Sequence, residues 1–299
     1  MTSICVLLAT KNGALFIQEF LESLIAQQVS ISEVLVSDDS STDGTLDIIR
    51  QTLSGKIEFQ IIKGQDLGST QNFFYLLREA SKFNFFAFAD QDDVWAPFHL
   101  RRAVEKLQNY PSTPALVYSP TSKSYKNLLR DTRLKPVQYR QFLLNNPSRG
   151  CTIIFNNEAK ELINSQETIA VLYHDWFVTL LVALYGKVFA FNKPSVYYRE
   201  HAGQQIGPQR KLSALPYKIR RFPDSLAQSK FMCTIISKSV NSMDVKILKN
   251  IKIWCDFLNS SHPKVLKGLE TIVLVRPRSS SRLRTFFSYL YLFAFCALN

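Results

Sequence analysis

The chain has 299 residues, of which 46% are apolar or aromatic and 20% charged, with a formal net charge of +12. That apolar share supports a large buried core and excludes a disordered chain, a collagen-like repeat and a small disulfide-stapled scaffold. The charge is lopsided: residues 1–207 hold 20 Lys or Arg against 20 Asp or Glu, and residues 208–299 hold 16 against 4.

In chain order, the spacing of apolar residues predicts a strand at 4–9, a helix over 14–28, a strand at 33–37, a helix over 44–53 and a strand at 57–62. A helix over 70–82, a strand at 84–89, a helix over 97–109 and a strand at 115–119 follow. This alternation is the mark of an α/β fold, a mostly parallel twisted sheet flanked by helices. The stretch Thr121 to Asn146 is polar and basic without clear periodicity and reads as an acceptor-side loop. Strands at 151–156 and 187–192 then flank the segment carrying Asp175, and from Lys211 onward the pattern is helical. The opening apolar run is broken at Lys11 and no basic stretch precedes it, so it reads as a first strand and not a secretion signal. Cys5, Cys151, Cys233, Cys255 and Cys296 are odd in number and lack paired spacing, which fits a reducing compartment.

The segment Phe85-Phe86-Ala87-Phe88-Ala89-Asp90-Gln91-Asp92-Asp93-Val94-Trp95 ends a dense apolar strand on three carboxylates within four residues. Open α/β sheets bind ligands outside the carboxyl ends of their strands. Crowded carboxylates repel unless a cation intervenes, and Mg2+ or Mn2+ with one or two carboxylates and substrate phosphates is a common solution. The bland alternative is a solvated acidic loop. A second acid-tipped strand is Val34-Leu35-Val36-Ser37 followed by Asp38-Asp39-Ser40-Ser41-Thr42-Asp43-Gly44-Thr45. Helix capping accounts for Asp43 but not for Asp38 or Asp39. With the first strand and its Thr10-Lys11-Asn12-Gly13, three polar strand ends would meet at one sheet edge and form a nucleotide pocket.

These segments, together with Gln71-Asn72-Phe73, Gly150-Cys151-Thr152, His174-Asp175-Trp176 and Tyr198-Arg199-Glu200-His201, occur in an order that resembles glycosyltransferase family 2, close to its bacterial rhamnosyltransferase-like branch. The resemblance covers roughly residues 3 to 207. It implies a GT-A fold, a nucleotide-sugar donor, a divalent cation (Mg2+ or Mn2+) and inversion at the anomeric carbon. It also implies that Asp90-Gln91-Asp92 stands for the family's Asp-x-Asp motif. Asp92 would then be a direct metal ligand, and Asp90 would contact the ribose or share the cation. Asp38 or Asp39 would accept from the base, with Thr10 and Asn12 near the nucleotide. Lys11 stands where the family usually carries an aromatic residue. His201 would lie near the diphosphate and metal, with Arg199 helping to hold phosphate charge.

Transfer of a sugar needs a base for the acceptor hydroxyl, and Asp175, at or near a helix N-terminus, is the candidate catalytic residue. Its bland alternative is a helix cap.

Residues 1–207 would form the catalytic domain, and 208–299 a basic, helical extension that associates with an anionic membrane surface. In that extension Arg276, Arg278, Arg282 and Arg284 precede an apolar tail from Phe286 to Leu298, too short to span a bilayer as a straight helix. Docking of that tail on protein is the competing reading. No nucleic-acid motif accompanies the basic charge.

The expected protein is therefore cytoplasmic, peripheral at the inner face of the cell membrane. It would move a sugar, rhamnose from dTDP-rhamnose first, to a cell-surface polysaccharide or lipid-linked glycan acceptor, with a homo-oligomer among its partners. Two other classes compete. A noncatalytic nucleotide-sugar-binding subunit is expected to lack Asp92 or Asp175, and both are present. A nucleotidyltransferase leaves the His174-Asp175-Trp176 segment unexplained.

Overall fold

The computed structural model describes residues 2–128, 133–143, 146–169, 171–201, 245–259 and 275. The chain divides into two compact units: residues 1–136, 148–169 and 186–208 form the first, and 137–147, 170–185 and 209–299 the second.

The first unit is built on an eight-stranded sheet. Its strands in chain order are β1 (Ile4–Thr10), β2 (Glu33–Asp38), β3 (Phe59–Lys63), β4 (Phe85–Asp90), β6 (Ala115–Tyr118), β8 (Leu134–Val137), β9 (Ile154–Asn156) and β10 (Lys187–Phe191). Their spatial order is β3-β2-β1-β4-β9-β6-β10-β8. β1, β2, β3 and β4 pair in parallel, while β9 runs antiparallel between β4 and β6. The interiors of β1, β2 and β4 are buried almost without interruption, as parallel strands covered on both faces require.

Helices α1 (Ile17–Ile25), α2 (Thr45–Leu53), α3 (Ser69–Glu79), α4 (His99–Leu107) and α5 (Asn157–Asn164) belong to the same unit. Helix α1 is shorter than the predicted 14–28, because the amides of Phe16 and Ile17 both donate to the Gly13 carbonyl and spend Ala14 to Phe16 on a turn. The predicted strand at 151–156 is half right: Gly150–Thr152 is a single 3-10 turn, and β9 begins at Ile154. The stretch 121–146, read from the sequence as an acceptor-side loop without clear periodicity, carries β7 (Thr121–Ser122), β8 and two 3-10 turns in its described part. Lys160 of α5 is buried and donates to the Ala80 carbonyl at 2.6 Å, placing a cation at the C-terminal end of α3, where the helix dipole favours it.

A second, three-stranded sheet of two-residue strands has the order β5-β11-β7, with β5 (Val94–Trp95) antiparallel to β11 (Val196–Tyr197). Beside it lies fully buried His99, whose Nδ1 is 2.7 Å from Ser195 Oγ and whose ring packs against Trp95. Burial lowers its pKa from 6.5 to about 3. On acidification the unfolded chain takes up this proton near pH 6.5 while the folded chain resists it, so stability falls as pH drops from 6.5 towards 3. His99→Asn, which keeps a partner for Ser195, should flatten that pH dependence by about 1.4 kcal/mol per pH unit in urea titrations. An unchanged slope would contradict the neutral, buried assignment.

In the second unit, α6 (His174–Tyr185) is apolar around most of its circumference and correspondingly buried from Trp176 to Val182. The indole of Trp176 donates to the Phe142 carbonyl, and Asn250 of α7 (Val245–Asn259) donates to the Tyr139 hydroxyl at 3.0 Å. Among the described residues no helix is long and apolar enough to cross a membrane. The predicted basic and apolar tail from Arg276 to Leu298 lies outside the described residues.

Candidate active site

The parallel register sets the site. Thr10 pairs with Asp38 and Ala9 with Asp90, so the last residues of β1, β2 and β4 reach the same sheet edge. The apolar runs stop there because the next residues leave the core.

Asp38 and Asp39, which the sequence left undivided, are separated by geometry. Asp38 Oδ1 accepts from the Thr10 hydroxyl at 2.8 Å and the Ser41 hydroxyl at 2.6 Å, and its Oδ2 accepts from the Ser41 amide at 2.8 Å. Its carboxylate is thus committed to the turn. Asp39 accepts from the Asp66 amide at 3.2 Å, and burial raises its pKa. Gly64 makes room for it: a Cβ there would lie 2.0 Å from Asp39 Oδ1 and 2.9 Å from the Asp38 carbonyl.

Around these acids the backbone is strained. Asn12, Ser40 and Asp66 have φ of 47°, 61° and 55°, in the left-handed region that non-glycine residues enter at a cost. They are tied together by Asn12 N–H to Ser41 Oγ at 2.8 Å, Thr42 N–H to Asn12 Oδ1 at 2.9 Å and Ser40 Oγ to Asp66 at 2.8 Å. Lys11 pairs with Asp66 at 3.0 Å. Gln91 uses its amide twice on the Lys11 backbone, accepting at 3.0 Å and donating at 2.9 Å. Asn72 and Gln71 brace the same edge, donating to the Ser37 carbonyl and to the Thr168 and Ile169 carbonyls.

At the tip of β4 the three acids part company. The ligand-type atoms of Asp90, Asp93 and Cys151 lie within 4.8 Å of one another. Asp93 is fully buried, and desolvation, followed by the neighbouring Asp92 charge, pushes its pKa up to about 7. Burial also pushes the Cys151 thiol well up, so this group suits a thiol–carboxyl contact better than a hard cation. Asp92 instead meets His201, with Nε2 and Oδ2 2.6 Å apart.

The small sheet makes that meeting. β11 pairs with β5, so the chain leaving β11 runs back over the acids: the Arg199 amide donates to Asp93 at 3.3 Å and its Nε to the Asp92 carbonyl at 3.2 Å. The Arg199 guanidinium is held by Glu19 of α1, which also accepts from the Tyr125 hydroxyl. These two hydrogen bonds hold the Glu19 carboxyl below the ordinary range. Glu19, Phe16, Tyr125 and Asp93 were not singled out by sequence. Only Asp93 carried a signal, its place in the acidic run.

Asp175 belongs to the second unit, in the first turn of α6, where its Oδ1 accepts from the Trp176 amide at 2.7 Å. The donor set at Asp92 and His201, one carboxylate oxygen and one imidazole nitrogen, fits Mg2+ or Mn2+ with the remaining positions left to phosphate and water.

The model of the family described as Glycosyl transferase family 2 matches residues 5–163. A dTDP-rhamnosyl transferase of Shigella flexneri, RfbG, is 27% identical over 252 residues, which is 79% of this chain and 84% of that one. Among solved structures, Staphylococcus aureus TarS 1–349 in complex with UDP-GlcNAc has a TM-score of 0.59 at 17% identity, covering 98% of this chain and 79% of that one. A mannosyltransferase from Pyrobaculum calidifontis in complex with GDP-Man and Mn2+ has a TM-score of 0.56 at 20% identity, covering 99% of this chain and 80% of that one. The parallel sheet with acid-tipped strands is thus the GT-A fold, and the chain belongs to glycosyltransferase family 2.

Proposed function

We propose that this glycosyltransferase is inverting and divalent-cation dependent, and that it moves rhamnose from dTDP-rhamnose to a hydroxyl of a cell-surface polysaccharide or lipid-linked glycan precursor. The observation that carries the donor assignment is the similarity to the dTDP-rhamnosyl transferase over most of both chains. The proposed site is the cytoplasmic face of the membrane, with residues 208–299, the basic part, as the contact to anionic lipid.

Asp92 and His201, 2.6 Å apart, would hold Mg2+ or Mn2+. When bound, such an ion offsets the negative charge that grows on a departing nucleoside diphosphate. Asp39 accepts from the ring N–H of the base, Thr10 and Asn12 shape the pocket floor around it, and Asp90 faces the ribose. Arg199 contributes cationic field towards the phosphates. Asp175 takes the proton of the acceptor hydroxyl as its oxygen attacks the anomeric carbon, while the bond from that carbon to the diphosphate oxygen breaks.

The test is metal-dependent thermal stabilisation of the full chain by dTDP-, UDP- and GDP-sugars. Stabilisation by one nucleotide class is expected, with dTDP first. Asp39→Asn should cut affinity for that class about 10- to 100-fold at unchanged stability, by loss of one charge-assisted hydrogen bond. Asp38→Asn should mainly lower the melting temperature, because the bonds it weakens are internal. No stabilisation by any nucleotide would sink the donor-site reading and favour a noncatalytic subunit.

A further inference from the structure

His201 sits on irregular chain beyond β11, so its orientation has to come from side chains. Among the described residues it meets Asp92 and the ring of Phe16, whose centroid is 4.5 Å away with a 30° interplanar angle. The same Phe16 ring lies 5.1 Å from the Arg199 guanidinium carbon. Phe16 closes the turn before α1, while the helix builds the core with Ile17, Phe20, Leu21 and Leu24. Phe16, only partly buried, therefore stands off that face, against the segment that carries Arg199 and His201. One turn on, Glu19 fixes Arg199 and the Tyr125 hydroxyl, and Tyr125 stacks on Tyr197 at 4.1 Å. The start of α1 thus grips the Tyr197–His201 segment from one side, as Asp92 and Asp93 grip it from the other.

We infer that Phe16 is a positioning residue, whose ring sets the His201 imidazole against Asp92 and so sets the affinity of the site for a divalent cation. The inference rests on the assignment of Asp92 and His201 as cation ligands. Groups that orient a ligating histidine commonly change metal affinity 10- to 100-fold when lost, without touching the metal.

The experiment is a Mn2+ titration of the full-length protein in the presence of dTDP, read by loss of the free-Mn2+ electron paramagnetic resonance signal. Phe16→Leu is expected to weaken Mn2+ binding about tenfold, and Phe16→Tyr, which keeps the ring, to restore it to within about twofold. In a His201→Ala background, Phe16→Leu should have no further effect, which a general structural role for Phe16 would not produce. Phe16→Met, close in size, serves if the leucine variant does not fold. Wild-type affinity in Phe16→Leu, or the same loss with and without His201, would overturn the role of Phe16 and leave the site intact. A wild-type chain that takes up no Mn2+ with dTDP, UDP or GDP would overturn the site assignment and this inference with it.

Discussion

Asp92→Ala should abolish cation-dependent nucleotide binding and lower sugar transfer by on the order of 10²- to 10³-fold or more, the scale seen when one group that stabilises developing anionic charge is lost. The structural reason is the division of labour at the tip of β4. Asp93 is buried, and Asp90 groups with Asp93 and Cys151, so neither replaces Asp92 beside His201. Removing Asp92 also removes the charge that, after desolvation, does most to raise the Asp93 pKa, so that pKa should fall, and the fold should persist. Calorimetry with dTDP-sugars and Mn2+, with far-ultraviolet circular dichroism as the folding control, checks both halves. Full donor binding in Asp92→Ala would refute the cation site.

Asp175→Asn should separate binding from chemistry. Transfer is expected to fall by about 10²- to 10⁴-fold, the usual weight of a general base, while donor affinity stays within about twofold of wild type. An asparagine oxygen can still accept from the Trp176 amide as Asp175 Oδ1 does, so the first turn of α6 keeps its hydrogen bond. What it loses is charge at a helix N-terminus, about 0.3–1 kcal/mol. Product formation measured alongside donor calorimetry decides between the two roles of Asp175. Retained turnover would leave only the cap.

The strands that carry the acids were legible because they are buried on both faces and read as unbroken apolar runs ending in carboxylates. The small sheet was not, since two-residue strands such as β5, β7 and β11 have no period to detect. β9 was found, but its direction was not, because antiparallel insertion between β4 and β6 leaves no trace in a three-residue apolar segment. Asp38 and Asp39 look equivalent in the sequence and differ only through Thr10 and Ser41 on one side and Gly64 on the other. Glu19 reads as an ordinary charge on the wet face of an amphipathic helix. Its meaning comes from Arg199, 180 residues away in the chain.

Strands that are apolar on both faces have a weakness: sliding one by a single residue buries much the same material, so burial alone fixes alignment poorly. In β1 and β2 the alignment is settled at the tip, where Thr10 donates to Asp38 and its carbonyl accepts from the Asp39 amide at 2.9 Å. The residues that would read the nucleotide are then also the key that locks the two strands in step. A one-residue deletion inside either strand is an error the core would tolerate and the tip would not. At the other end of β2, Ser32 exchanges hydrogen bonds with Ile4 and the Gln28 amide donates to the Pro97 carbonyl, so a library that varies chain length belongs between those two anchors, at residues 29–31, where it leaves the key untouched.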